Sequence, residues 1–279
     1  MSLLDVSTPR TGIKRLRWTL TDALLIARRN LSHIRRTPEK LLNVTVQPII
    51  FVLFFGYVFG SAVSLPGNAS YIDYLMPGIF VLTMVGTFGA TAVGFATDMT
   101  HGVVDRFRSL PIAGASILLG RTFADIVEVS LGLCVLTVCG LVAGWRPHQD
   151  ALSTVAAFGL LLLLAFAMNW VGVFVGLSVR APEAVNTLGT LILFPLMFLS
   201  NTFVPTQGMA PWLRTLAEWN PMSATVAALR LLLGDASVAQ AANAWPLQHP
   251  IAASIIWSVL LLAIFAPLAI HRYRRAAAR

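Results

Sequence analysis

Runs of more than about 18 consecutive mostly apolar residues recur along this chain, and a run of that length spans hydrocarbon as a helix. Six of them are expected, at about Leu42 to Val63, Tyr74 to Thr97, Ser116 to Ala143, Leu152 to Val179, Ala184 to Val204 and Ile251 to Ile270. Charged residues make up 11% of the 279 and hydrophobic ones 57%, with mean hydropathy +0.76. A soluble domain carries about 25% charged residues, so polar surface is too scarce here to cover a water-facing body. The expected fold class is an all-α polytopic membrane protein with six transmembrane helices.

The net charge of +8 does not point to nucleic acid, because the basic residues sit beside the apolar runs and not on an aromatic-studded basic face. They report topology. Of the 20 lysines and arginines, only Arg146, Arg214 and Arg230 fall in connections on one side; all others fall on the opposite side. By the positive-inside rule both termini and the connection after the second run are expected in the cytoplasm.

Residues 1–41 form an expected cytoplasmic segment. From Trp18 to Arg36, Leu20, Leu24, Ala27, Leu31 and Ile34 recur at three and four while Arg28, Arg29, Arg35 and Arg36 fall mainly elsewhere. That suits an interfacial helix in the headgroup layer, in contact with membrane lipids; a solvated basic helix is the alternative. The first apolar run is too long for a signal-peptide core, so no cleavage is expected. Residues 42–270 form the expected membrane domain, and 271–279 a basic cytoplasmic tail.

Small residues recur four apart at Gly56 and Gly60, at Gly86, Ala90 and Gly94, and at Gly172 and Gly176, a pattern that lets helices approach closely in lipid. Pro195 falls inside the fifth run, where a missing amide predicts a kink. The outer element, 205–250, holds two short helical patterns. PWLRTLAEWNP places Trp212, Leu213, Leu216 and Trp219 on one face, and Met222 to Asp235 is apolar for about three turns but too short to span. Short helices that dip into the outer leaflet and return are expected there.

Several chemistries have no residues to run on. A P-loop needs lysine followed by serine or threonine, and the two lysines, Lys14 and Lys40, precede Arg15 and Leu41. Cys134 and Cys139 are five apart, roughly 140° out of alignment on a helix, so they do not pair. No metalloprotease or nucleophile-elbow motif occurs, and no metal site or catalytic residue is expected. Asp98, Arg121, Asp125 and Glu128 form a charge cluster at the cytoplasmic side, either a neutralised interface group or a relay for an ion-coupled carrier.

The segment HGVVDRFRSLPIAGASILLGR, His101 to Arg121, stands apart. Asp105, Arg106, Phe107, Arg108, Leu110 and Pro111 crowd into the short cytoplasmic connection 101–115. Phe107 and Leu110, three apart, suit entry into an apolar groove together. Arg106 and Arg108 would meet acidic groups at its rim, while Pro111 would end the turn. A generic positive-inside loop is the alternative.

HGVVDRFRSLPIAGASILLGRTFADI and WNPMSATVAALRLLLGD, Trp219 to Asp235, resemble segments of ABC-2 type permeases, above all the daunorubicin-resistance-like subunits of bacterial multidrug and lipid exporters. The resemblance implies a coupling helix at about Val104 to Ile112 and a separate ABC ATPase subunit carrying ATP and Mg, with no cofactor in this chain. It also implies a second permease copy or paralogue, a bacterial plasma-membrane location, and an amphipathic drug or lipid-like cargo. Phe54, Phe55, Phe88, Phe194, Met197 and Phe198 are candidates for the cargo route, or else face lipid or packing neighbours. The rival functions are a stand-alone ion-coupled carrier and a membrane scaffold that moves nothing.

Overall fold

The computed structural model describes residues 46, 49–56, 71–100, 114–179, 181–203, 206–234 and 244–277. Regular structure among the described residues is entirely helical. After a helical stretch at 49–56 come α1 (Tyr71–Thr100), α2 (Gly114–Val142), α3 (Ala151–Ser178) and α4 (Pro182–Phe198). A 3-10 turn (Thr206–Gly208) leads to α5 (Pro211–Glu218), α6 (Pro221–Leu233), the single turn α7 (Trp245–Gln248) and α8 (Pro250–Ala277). By length and composition four of these can cross a membrane: α1, Asp125–Val142 within α2, α3, and Pro250–Tyr273 within α8. The chain is therefore an all-α, multi-pass membrane protein. Most of the first expected span, the proposed interfacial helix and the connection 101–113 lie outside the described residues.

The fifth expected span is the 17-residue α4, which ends at Phe198 and not near Val204. Pro195 stands in its last turn, so the expected mid-span kink becomes a helix end. What stops the helix is a side chain from far along the chain. Asn220 Nδ2 donates to Leu196 O at 2.7 Å and Leu199 O at 2.6 Å, satisfying carbonyls that a helix end leaves open. The same residue's Oδ1 accepts from Met222 N at 2.8 Å and so caps the start of α6.

α1 is the central rod, about 45 Å long at 1.5 Å per residue. Its span is 56% buried, against 17% for α8, because α1 packs along α3 and also against α4 and α6, while α8 closes the outside of α3 and α6. Residues from Tyr74 to Val81 are buried without interruption, which only a helix with neighbours on every side allows.

The α1–α3 seam depends on the predicted glycine pair. A Cβ on Gly172 would lie 2.6 Å from Phe88 O, and one on Gly176 would meet Ala92 O and lie 2.8 Å from Phe95 Cβ. The second predicted stripe behaves differently. Gly86 and Ala90 are exposed, and a Cβ on Gly86 would meet nothing within 4 Å. A cluster of Phe95, Trp170, Val173, Ala269 and Tyr273 joins the far ends of α1, α3 and α8.

α3 begins at Asp150, whose side chain accepts from Ser153 N at 3.3 Å. Those Ser153 contacts hold the Asp150 carboxyl below its ordinary value. α6 ends at Gly234 with φ +120, a conformation glycine adopts without strain, and Gly234 N donates to Arg230 O at 3.0 Å.

Candidate functional site

One end of the bundle is fastened by a cation. Arg230 is in the last turn of α6, where the helix dipole favours positive charge, and it is 0% exposed. Its Nε and Nη2 donate to Tyr74 O at 3.2 and 3.0 Å, and Nη2 also reaches Asn201 O at 3.0 Å and Thr202 O at 3.3 Å. The guanidinium carbon lies 3.6 Å from the centroid of the Tyr74 ring, close enough for a cation–π contact. One side chain therefore ties three separate stretches together: the start of α1, the turn after α4, and α6.

Neutral bonds reinforce the clamp. Tyr74 Oη donates to Asn201 O at 3.2 Å, Asn201 N donates to Ser223 Oγ at 3.1 Å, and Ser200 Oγ lies 2.7 Å from Thr202 Oγ1. The turn can lie this close to α1 only because residue 78 is glycine, since a Cβ there would be 2.7 Å from Thr202 O. The α2–α3 connection joins the same end: His148 N donates to Leu233 O at 2.9 Å, and Arg146 N reaches Asp73 Oδ1 at 3.5 Å.

Beside the clamp runs an aromatic strip. Phe55 stacks on Phe203 at 4.4 Å between centroids and on Phe51 at 5.6 Å, with Phe54 edge-on to Phe55 at 5.4 Å. Phe203 is 6.5 Å from Phe198, which is 4.6 Å from Phe194. Of the aromatic route candidates, Phe54, Phe55, Phe194 and Phe198 thus fall together, linked by Phe203, which is not among those candidates. Met197 is half-buried against the main core. Phe88 is 1% exposed in the core, 3.4 Å from where a Cβ on Gly189 would stand, and lies apart from the strip. Within α4 only Val185 and Gly189 are buried, so Leu191, Phe194 and Phe198 present an uncovered apolar face.

Toward the other end, the Thr91 hydroxyl donates towards Asp125 Oδ2 at 3.1 Å and Asn169 Oδ1 at 3.3 Å. These three residues belong to α1, α2 and α3, so the predicted Asp125 joins a polar contact across three helices. Asp98 and Glu128 are partly buried on α1 and α2; Arg121 lies in α2, its side chain outside the described set. Asp105, Arg106, Phe107, Arg108, Leu110 and Pro111 also lie outside the described residues. Among the described residues no group of His, Cys, Asp and Glu is placed to hold a metal ion.

Arg230 is the main functional residue that the sequence does not mark, since there it figures only as one of three charges on the outer side. The available signal is a lone arginine, the one charged residue of a mostly apolar 13-residue helix, a position where a cation needs partners. Trp212 and Leu216 on α5, and Trp219 just after it, are exposed, Leu213 is half-buried, and Arg214 and Glu218 pair at 2.7 Å.

Residues 21–233 match the model of the ABC-2 type transporter family, a range that includes every residue of the clamp. The daunorubicin resistance ABC transporter permease protein of Streptomyces coeruleorubidus is 30% identical over 246 residues, covering 88% of this chain and 83% of the relative. The doxorubicin resistance ABC transporter permease protein of Mycobacterium tuberculosis is 30% identical over 243 residues, covering 84% and 83%. A second, probable doxorubicin resistance permease of that organism is 23% identical over 258 residues, covering 92% and 90%.

Proposed function

The chain belongs to the ABC-2 type transporter family, as a permease subunit related to the daunorubicin- and doxorubicin-resistance permeases, and on that premise we propose that it is the membrane half of an ATP-driven exporter. ATP is hydrolysed, with Mg, on a separate subunit that docks on 101–115 through Asp105, Arg106, Phe107, Arg108, Leu110 and Pro111. Two permease copies, alike or paralogous, complete the pathway. The segment 1–41 carries an interfacial helix, six spans follow, and both termini face the cytoplasm. α5 and α6 dip into the outer leaflet, with Trp212 and Trp219 at the headgroup level.

The cargo is an amphipathic drug or lipid-like molecule taken from the membrane. The observation that supports this is the aromatic strip: six phenylalanines in ring contact, at the edge where α4 is nearly uncovered. Flat ring faces without charge suit a ligand that is itself largely apolar.

The test is affinity purification from native membranes in mild detergent. A stoichiometric P-loop ATPase that is lost on changing Arg106 and Phe107 would support the proposal. Phe107→Ala alone should leave the chain inserted but lower cargo-stimulated hydrolysis by at least about tenfold, as loss of a buried aromatic anchor does. Coupled transport at the wild-type level by that variant would refute the docking role. Transport that follows a proton gradient and survives ATP depletion would favour an ion-coupled carrier, with Asp125 the residue to change.

A further inference from the structure

The clamp around Arg230 and the length of α1 together bear on how motion crosses the membrane. α1 runs without a break from Tyr71 to Thr100. Its last residue directly precedes the segment taken above as the ATPase docking site. Its first turns are where Arg230, Asn201 and Thr202 are fastened. Pro77 falls inside the helix one turn from Tyr74, in a stretch buried on every side, so a displacement of α1 as a unit at the Thr100 end would reach Tyr74 about 40 Å away.

We infer that Arg230 is a positioning residue that fixes α6 and the turn 199–203 to α1, so that these elements move as one block and α1 acts as the rod linking ATP-driven motion to the outer surface. This rests on the exporter reading. The guanidinium donates to carbonyls on two of the three stretches and is carried by the third. Separating α1 from α6 would break charge-assisted bonds and pull the cation off the Tyr74 ring at 3.6 Å. Separating α6 from the turn would also break the bonds of Asn220 to Leu196 O and Leu199 O and of Asn201 N to Ser223. Among the described residues no comparable set of side-chain bonds holds α5, which is joined to the block at Asn220 and has Trp212, and Trp219 just after it, exposed. Motion in the outer element is thus expected to fall on α5 and the uncovered face of α4, not inside the clamp.

The experiment uses the complete complex with its ATPase, in proteoliposomes. Arg230→Gln keeps a hydrogen-bonding tip but removes the charge and the fork. Arg230→Lys keeps the charge as a point donor that cannot reach all three carbonyls while stacking. Both should assemble with the ATPase and hydrolyse ATP. Cargo moved per ATP should fall at least about tenfold in the Gln variant, the population change expected from losing one charged hydrogen bond, with Lys in between. An unchanged ratio in Arg230→Gln would overturn the inference.

Because that variant can fail to accumulate, a second measurement leaves the arginine in place. Spin labels are put at Ile72 and Leu231, both partly exposed, with Cys134 and Cys139 replaced by alanine. The distance between labels should be the same in nucleotide-free and ATP-trapped complexes; a shift of more than about 2 Å, the scale of a true rearrangement, would overturn the block. A wild-type complex without a bound ATPase or cargo-stimulated hydrolysis would instead remove the exporter reading, and the transmission role with it.

Discussion

Replacing Gly172 with alanine adds one methyl group where α3 crosses α1. The new carbon would lie 2.6 Å from Phe88 O, 3.1 Å from Thr91 Cβ and 3.3 Å from Ala92 N. Two of these three atoms are backbone, so no rotamer change relieves the clash. Ordinary contact begins near 3.4 Å, and the helices must part locally by about 0.8 Å. A gap of 0.5–1 Å forfeits roughly a quarter to a half of each dispersion contact, and one large buried side chain makes 40–60 such contacts of about 0.1–0.2 kcal/mol. If the seam at this level is worth one such side chain, the loss is about 2–3 kcal/mol. Alanine returns about 1 kcal/mol through its better helix propensity, which leaves a net destabilisation of about 1–2 kcal/mol. Gly159 supplies the control: it is on the same helix, and a Cβ there meets nothing within 4 Å. Gly159→Ala should therefore stabilise by up to about 1 kcal/mol. Reversible unfolding in mixed micelles measures both variants. Equal or greater stability of Gly172→Ala relative to Gly159→Ala would refute close backbone approach as the basis of the seam.

Asn220→Ala removes the donor that ends α4 and the acceptor that starts α6, and should cost about 2–4 kcal/mol in the same assay. Asn220→Asp keeps the acceptor but places a carboxylate against the carbonyls of Leu196 and Leu199, so it should recover little; full recovery would mean that the cap on α4 contributes nothing. The Asp150 carboxyl is held below its ordinary value by Ser153, so its folded pKa is lower than its unfolded one. The cap is therefore complete above the unfolded value and lost as pH falls through the folded one. Protection of the Ser153 and Thr154 amides, measured against the intrinsic exchange rate at each pH, should drop over that window in the native chain and show no such step in Asp150→Asn.

Length and apolar character were enough to place α1, α2, α3 and α8, because a helix in lipid must satisfy its own backbone and needs no partner to do so. The end of α4 was not legible, since it is set by the Asn220 side chain some twenty residues downstream. The glycine pattern was legible as a pattern but not as a contact. Gly172 and Gly176 meet α1, whereas Gly86 and Ala90, with the same spacing, face outward. Phe54, Phe55, Phe194 and Phe198 are marked by ring chemistry and do meet, but Phe203, which joins them, lies past the end of α4, in the turn that Asn220 shapes. Arg230 was hidden most fully. Its acceptors are backbone carbonyls, which every residue possesses, so no residue type at any spacing marks them.

The clamp also bears on the order in which the chain is made. Tyr74, Asn201 and Thr202, whose carbonyls receive the guanidinium, all precede Arg230 in the sequence. Synthesis runs from the N-terminus, so when α6 leaves the ribosome the acceptors for its one cation have already been made. α8, which packs over α3 and α6, emerges only afterwards. The costliest group to leave bare in lipid is thus the last of its network to arrive, and α8, which packs on the helix that carries it, follows.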